Sequence, residues 1–187
     1  EKGMLIIDEF FDGWMYSKNG NYNDYAKWFK QPIEAGNTIL GATDGMTWAQ
    51  FDLRAAAKRG LNSPAVIMWS LGNEIQEGAG GSGYNVMSKD LIKWTQEVDT
   101  SRIITIGSNA VKNGSHEHVD IMDQLTAVGG ASGTNYSGGS SYDSMHASHP
   151  DWYIYGSETA SSINSRGEYG NIGTNELTSY DESKVGW

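Results

Sequence analysis

Two apolar runs in this chain each end in a carboxylate: Ala65-Val66-Ile67-Met68-Trp69-Ser70-Leu71-Gly72-Asn73-Glu74, and Trp152-Tyr153-Ile154-Tyr155-Gly156-Ser157-Glu158. Each reads as a buried strand that delivers a glutamate at its C-terminal end, which is where parallel α/β folds place their chemistry. Two glutamates held at a fixed separation form the pair that glycosidic bond cleavage requires. One protonates the leaving oxygen while the other attacks the sugar or activates water. A third run, Gly3-Met4-Leu5-Ile6-Ile7-Asp8-Glu9, is also apolar and closes on acids.

The elements that must hold these residues follow from the periodicity between them. Tyr25, Trp28, Phe29 and Ile33 recur near helical spacing, with Pro32 disturbing the end. Asp44 to Trp48 can cap a helix that runs to about Arg59, with Gly60 closing it. Val86 to Val98 reads as a second amphipathic helix, 102–107 as a strand, and about 116–124 as a short helix. A weaker, glycine-broken strand signal lies within 124–136, a helical stretch at 140–149, and the last clear strand at 152–157. Strands and helices alternate, the pattern of a parallel sheet with crossover helices. That pattern admits an open doubly wound sheet or part of an eight-stranded barrel, since five strand signals do not close a barrel of eight. After Glu158 the chain is rich in Ser, Asn, Gly and Glu and reads as a long loop.

Composition narrows the function classes. A length of 187 residues allows one domain with a sizeable core, and seven Trp with ten Tyr supply large amphipathic surfaces suited to burial or to sugar stacking. A formal net charge of −10 argues against a nucleic-acid or anionic-membrane surface, because phosphate binding rests on clustered Lys and Arg. The absence of cysteine removes disulfides and thiolate metal sites and leaves the compartment open. No stretch resembles a signal peptide or a span of about 20 apolar residues. The start at Glu1-Lys2-Gly3, without an initiator Met, suggests an excised piece.

Other motifs carry less. Gly78-Ala79-Gly80-Gly81-Ser82-Gly83 matches G-x-G-x-x-G between a strand and a helix, so a dinucleotide cofactor and an oxidoreductase form a remote alternative. It lies several residues beyond the strand, and Glu74 and Glu77 would repel a pyrophosphate. His116, His118, His146 and His149 are expected as exposed loop histidines, not metal ligands. The Ser/Gly stretch 129–141 lacks G-x-S-x-G and is not a serine-hydrolase motif. No cofactor and no metal are expected.

Three blocks in order carry a resemblance to the barrel domain of glycoside hydrolase family 2, the family of β-galactosidases, β-glucuronidases and β-mannosidases. The run from Gly3 through Asp8-Glu9-Phe10-Phe11-Asp12-Gly13-Trp14 resembles its third barrel strand and loop. Asn62-Ser63-Pro64 through Asn73-Glu74 is similar to the acid/base block on strand four. Gly156-Ser157-Glu158-Thr159-Ala160-Ser161, with Ser165-Arg166-Gly167, is similar to the nucleophile block on strand seven.

The resemblance implies a partial (β/α)8 TIM barrel spanning about strands three to seven, with residues 1–187 forming one partial catalytic domain. It makes Glu74 the acid/base and Glu158 the nucleophile of a retaining mechanism. Asp8, Asn73 and Tyr136 become substrate-site residues: Asp8 as a sugar-binding acid, Asn73 as donor to the 2-hydroxyl, and Tyr136 as donor to the nucleophile. Arg166 can orient the loop after Glu158. Trp69 is expected to pack inside the barrel. The implied substrate is a carbohydrate, a β-galactoside before related β-glycosides. The implied partners are the remaining barrel strands and flanking β-sandwich domains of a parent protein. The alternative is an inactive or split piece with a sugar-binding or assembly role.

Overall fold

The computed structural model describes residues 3–22, 24–76 and 79–159. Five strands form one sheet: β1 (Ile6–Glu9), β2 (Val66–Asn73), β3 (Ile103–Ser108), β4 (Ala131–Asn135) and β5 (Ile154–Glu158). They lie side by side in chain order, and every neighbouring pair is parallel. Monotonic order distinguishes the two architectures left open by the sequence. A doubly wound sheet reverses its strand order at a switch point, whereas a barrel adds each strand to the same side. The structure is a five-stranded segment of a TIM barrel.

Helices α1 (Ala26–Phe29), α2 (Trp48–Gly60), α3 (Tyr84–Gln96), α4 (His116–Ala127) and α5 (Gly139–Ser148) occupy the crossovers. The first of these is shorter than the aromatic spacing suggested, since Gln31 already bonds Trp28 O and the chain leaves the helix before Pro32. Helix α2 starts at Thr47, whose side chain accepts the backbone N–H of Gln50 at 3.2 Å. Gly60 is its last helical residue and serves a close approach: a Cβ there would lie 2.7 Å from the Trp69 ring. Against this helical layer the sheet buries Leu71, Ile104 and Ile106, which meet Leu53, Leu91, Ile121 and Leu125. Alternation along each strand turns the intervening side chains to the opposite face. That face is open, and leaves Ile7 and Ile103 exposed.

Trp69 belongs to the helical side, not to the barrel interior expected for it. It is fully buried, and its Nε1 donates to Asp99 Oδ2 at 2.9 Å. Arg102 ties the same corner, donating to Asp99 Oδ2 at 2.6 Å and to the carbonyls of Val66, Leu61 and Ser63. The neighbouring Ser70 points to the open face, where its hydroxyl donates to Glu9 Oε2 at 2.9 Å. No helix among the described residues is long and apolar enough to cross a membrane.

Candidate active site

The C-terminal ends of β2, β4 and β5 converge on one polar cluster. At the end of β2 the register with β3 shifts between Ser70 and Asn73, so the chain departs from simple alternation just before the glutamate. Glu74 is buried and sits at φ 46°, in the left-handed region. Such a conformation costs a non-glycine residue about 1–3 kcal/mol and persists only where its surroundings fix it. Here they do. Asn73 N–H donates to Asp12 O at 2.9 Å and Glu74 N–H to Gly107 O at 2.8 Å, while Lys18 Nζ donates to Asn73 O at 3.2 Å.

Strand β4 supplies the bridge. The fully buried side chain of Asn135 donates from Nδ2 to Glu74 Oε1 at 2.9 Å and to Asn73 Oδ1 at 2.8 Å. Its Oδ1 accepts the hydroxyl of Ser157, beside Glu158, at 2.6 Å. Tyr136 takes a second left-handed conformation, φ 54°, which turns its phenol to donate to Glu158 Oε2. Lys112 Nζ holds that turn by donating to the carbonyls of Asn135 at 3.0 Å and Tyr136 at 2.6 Å. Glu74, Asn73, Tyr136 and Glu158 are therefore gathered in one place by three strand ends.

Asp8 is not gathered with them. Its Oδ2 lies 3.5 Å from the position of a Cβ on Gly60, which puts the carboxylate on the helical side with Trp69. The acid that β1 turns to the open face is Glu9. Asp8 pairs with Trp69 and Glu9 with Ser70, so alternation along β1 sends Asp8 to the helical side and Glu9 to the open face. Lost solvation, with Asp12 and Glu158 nearby, pushes the Glu9 carboxyl up from the ordinary range against the Ser70 hydrogen bond and Lys18.

The histidines also differ from expectation. His116 and His118 lie on α4, not in a loop, and His118 is fully buried. Ser108 Oγ accepts the N–H groups of Ala110 and Val111, so its proton goes to His118 Nδ1 at 2.6 Å. Burial pushes the imidazole down to about 4, against the opposing charge of Glu117. No group of His, Asp and Glu fit to hold a metal occurs among the described residues. At the N-terminus of α3, Glu117 accepts the N–H groups of Gly83 at 2.8 Å and Tyr84 at 3.1 Å, and so takes the position a pyrophosphate would need. Arg166, Ala160 and Ser161, and the expected long loop from 160 onward, lie outside the described residues.

Residues 6–153 match the family described as "Glycosyl hydrolases family 2, TIM barrel domain". The chain belongs to glycoside hydrolase family 2. Among family 2 structures, it resembles a member from Bacteroides cellulosilyticus with a TM-score of 0.61 and 30% identity, over 85% of this chain and 17% of that one. A curated beta-galactosidase of Bacteroides ovatus is 25% identical over 144 residues, covering 61% of this chain and 15% of the relative. A putative beta-glucuronidase of Formosa agariphila is 27% identical over 122 residues, covering 65% of this chain and 9% of the relative. The chain thus spans less than a fifth of the length of these relatives.

Proposed function

We propose that this chain carries the catalytic pair of a retaining β-glycosidase, with Glu74 as acid/base and Glu158 as nucleophile. The observation that supports it most is the bridge from Glu74 through Asn135 to Ser157, which ties the acid at the end of β2 to the strand of the nucleophile three places away. In the first step the Glu158 carboxylate attacks the anomeric carbon as the glycosidic bond breaks, and the Glu74 proton passes to the departing oxygen. The products are a glycosyl ester on Glu158 and a free alcohol. In the second step the Glu74 carboxylate takes a proton from water, the water oxygen attacks the anomeric carbon, and Glu158 leaves as carboxylate. Two inversions retain configuration, which calls for carboxyls about 5–5.5 Å apart. Asn73 would donate to the sugar 2-hydroxyl, and Tyr136 would steady the charge on Glu158. The acid of β1 that contacts sugar is Glu9 in this scheme, in place of Asp8.

A neutral sugar, galactose first, suits the surroundings better than a uronic acid. Lys112 is engaged by backbone carbonyls and Lys18 is paired with the Asp12 carboxylate at 2.9 Å, while Glu9 adds a further acid. One family relative is itself a beta-galactosidase. The open sheet face favours a second statement, that the chain acts with further barrel strands and β-sandwich domains of a longer protein. Aryl β-galactoside, β-glucuronide and β-mannoside turnover by the whole protein, wild type and Glu158→Gln, tests both. Galactoside turnover lost in the variant supports the proposal; turnover that survives the substitution refutes it. Activity in the whole protein but not in the chain alone supports the second statement.

A further inference from the structure

Asn135 donates to both members of the Asn73-Glu74 pair, and every polar atom of its amide is engaged: two N–H groups by Glu74 Oε1 and Asn73 Oδ1, the oxygen by Ser157. Building on the assignment of Glu74 as acid/base, we infer that Asn135, oriented by Ser157, is a positioning residue that sets the proton affinity of Glu74 and the oxygen on which its proton resides. The orientation follows from the chemistry of the partners. Ser157 offers a proton to Asn135 Oδ1, so the amide nitrogen faces the two acceptor oxygens. An amide N–H donated to Oε1 disfavours a proton on that oxygen, which directs the acidic hydrogen of Glu74 to Oε2.

The same hydrogen bond favours the carboxylate over the acid, offsetting the burial of Glu74, which favours the neutral form. Its second branch fixes Asn73 through Oδ1 and leaves the amino end of that side chain to serve as a donor to substrate. Gly107 supplies the floor on which the network assembles. A Cβ there would lie 2.9 Å from Asn73 Oδ1 and 3.1 Å from Asn135 Oδ1, so a side chain would crowd both amide oxygens, and it would meet Ser157 Oγ at 3.4 Å. The Gly107 carbonyl meanwhile accepts the Glu74 N–H at 2.8 Å. Backbone and side chain of Glu74 are thus held from β3 and β4, in addition to the segment after β1 that holds Asn73.

The test compares the pH dependence of kcat/KM for an aryl β-galactoside in the whole protein as wild type, Asn135→Leu and Ser157→Ala. Loss of the donated hydrogen bond raises the affinity of Glu74 for its proton, so the basic limb moves to higher pH by about one unit in Asn135→Leu. Ser157→Ala moves it in the same direction by less, and the acidic limb stays in place. A basic limb that does not move in either variant, with activity reduced equally at every pH, overturns the inference. Carbon-13 NMR titration of glutamate carboxyls, with Glu74 assigned by Glu74→Gln, reads the same shift without turnover. An unshifted Glu74 in Asn135→Leu refutes the positioning role, whereas a shifted Glu74 in a protein that cleaves no glycoside refutes the glycosidase reading alone.

Discussion

Tyr136 holds Glu158 at two points. Its phenol donates to Glu158 Oε2, and its backbone N–H donates to the Glu158 carbonyl at 2.7 Å. The second contact belongs to the pairing of β4 with β5, which shifts register between Thr134 and Asn135 so that Asn135 faces Glu158. The left-handed turn at Tyr136 then swings the ring over the carboxylate. Backbone pairing thus fixes the distance, and the turn fixes the direction.

Tyr136→Phe removes one of these points and keeps the other. A hydrogen bond to a charged group is worth about 1.5–3 kcal/mol, so kcat/KM is expected to fall about 10- to 100-fold with the fold intact. Steady-state kinetics on an activated aryl galactoside, alongside circular dichroism, checks both parts. An unchanged rate would show that the phenol contributes nothing to the nucleophile.

The buried imidazole of His118 predicts a pH-dependent stability. Its folded pKa of about 4 lies below the ordinary value of 6.5, so the unfolded chain binds the proton first. The contribution is complete above about pH 6.5 and is lost as pH falls toward 4, amounting to about 3 kcal/mol across that window. Proton NMR of the imidazole should show a titration midpoint near 4 for His118. A midpoint near 6.5 would contradict the burial argument.

Asp99 is the polar anchor at the opposite end of β2. Burial alone would push its carboxyl up, but hydrogen bonds from Ser101, Arg102 and Trp69 outweigh that and hold it well below the usual carboxylate range. Its stabilising contribution is therefore present above about pH 3.9 and lost as pH falls further. Asp99→Ala leaves the Trp69 N–H unmet and the Arg102 charge short of its counterion, at a cost of about 3 kcal/mol. Chemical denaturation of wild type and variant near neutral pH measures it. A loss under about 0.5 kcal/mol would place the anchor elsewhere.

Most of the scaffold was legible because apolar runs and helical spacing are local signals. The strands at β2, β3 and β5 and the helices α2 to α5 fall close to where periodicity placed them. Glycine and serine diluted the signal for β4, yet that strand holds the center of the site. Asn135 could not be recognised from a polar strand, because its importance lies in contacts 61 and 62 residues away. The exchange of Asp8 for Glu9 has a similar origin: which face of β1 meets the helices is decided by pairing with β2, where Asp8 lies opposite Trp69, and is invisible in β1 alone. The side on which Trp69 packs is set by its distant partner Asp99, thirty residues on, and so has no local signal. His118 carried a usable signal, since it shares a helical face with Ile121, Met122 and Leu125.

The most direct test of the Glu74–Glu158 assignment is covalent trapping in the whole protein. A 2-deoxy-2-fluoro-β-galactosyl fluoride slows both steps but keeps a good leaving group, so a retaining enzyme accumulates the glycosyl ester. Mass spectrometry after proteolysis should find one fluorogalactosyl unit on the peptide containing Glu158, absent in Glu158→Gln. A label on any other residue, or continued turnover of aryl galactoside with no ester formed, would contradict the assignment.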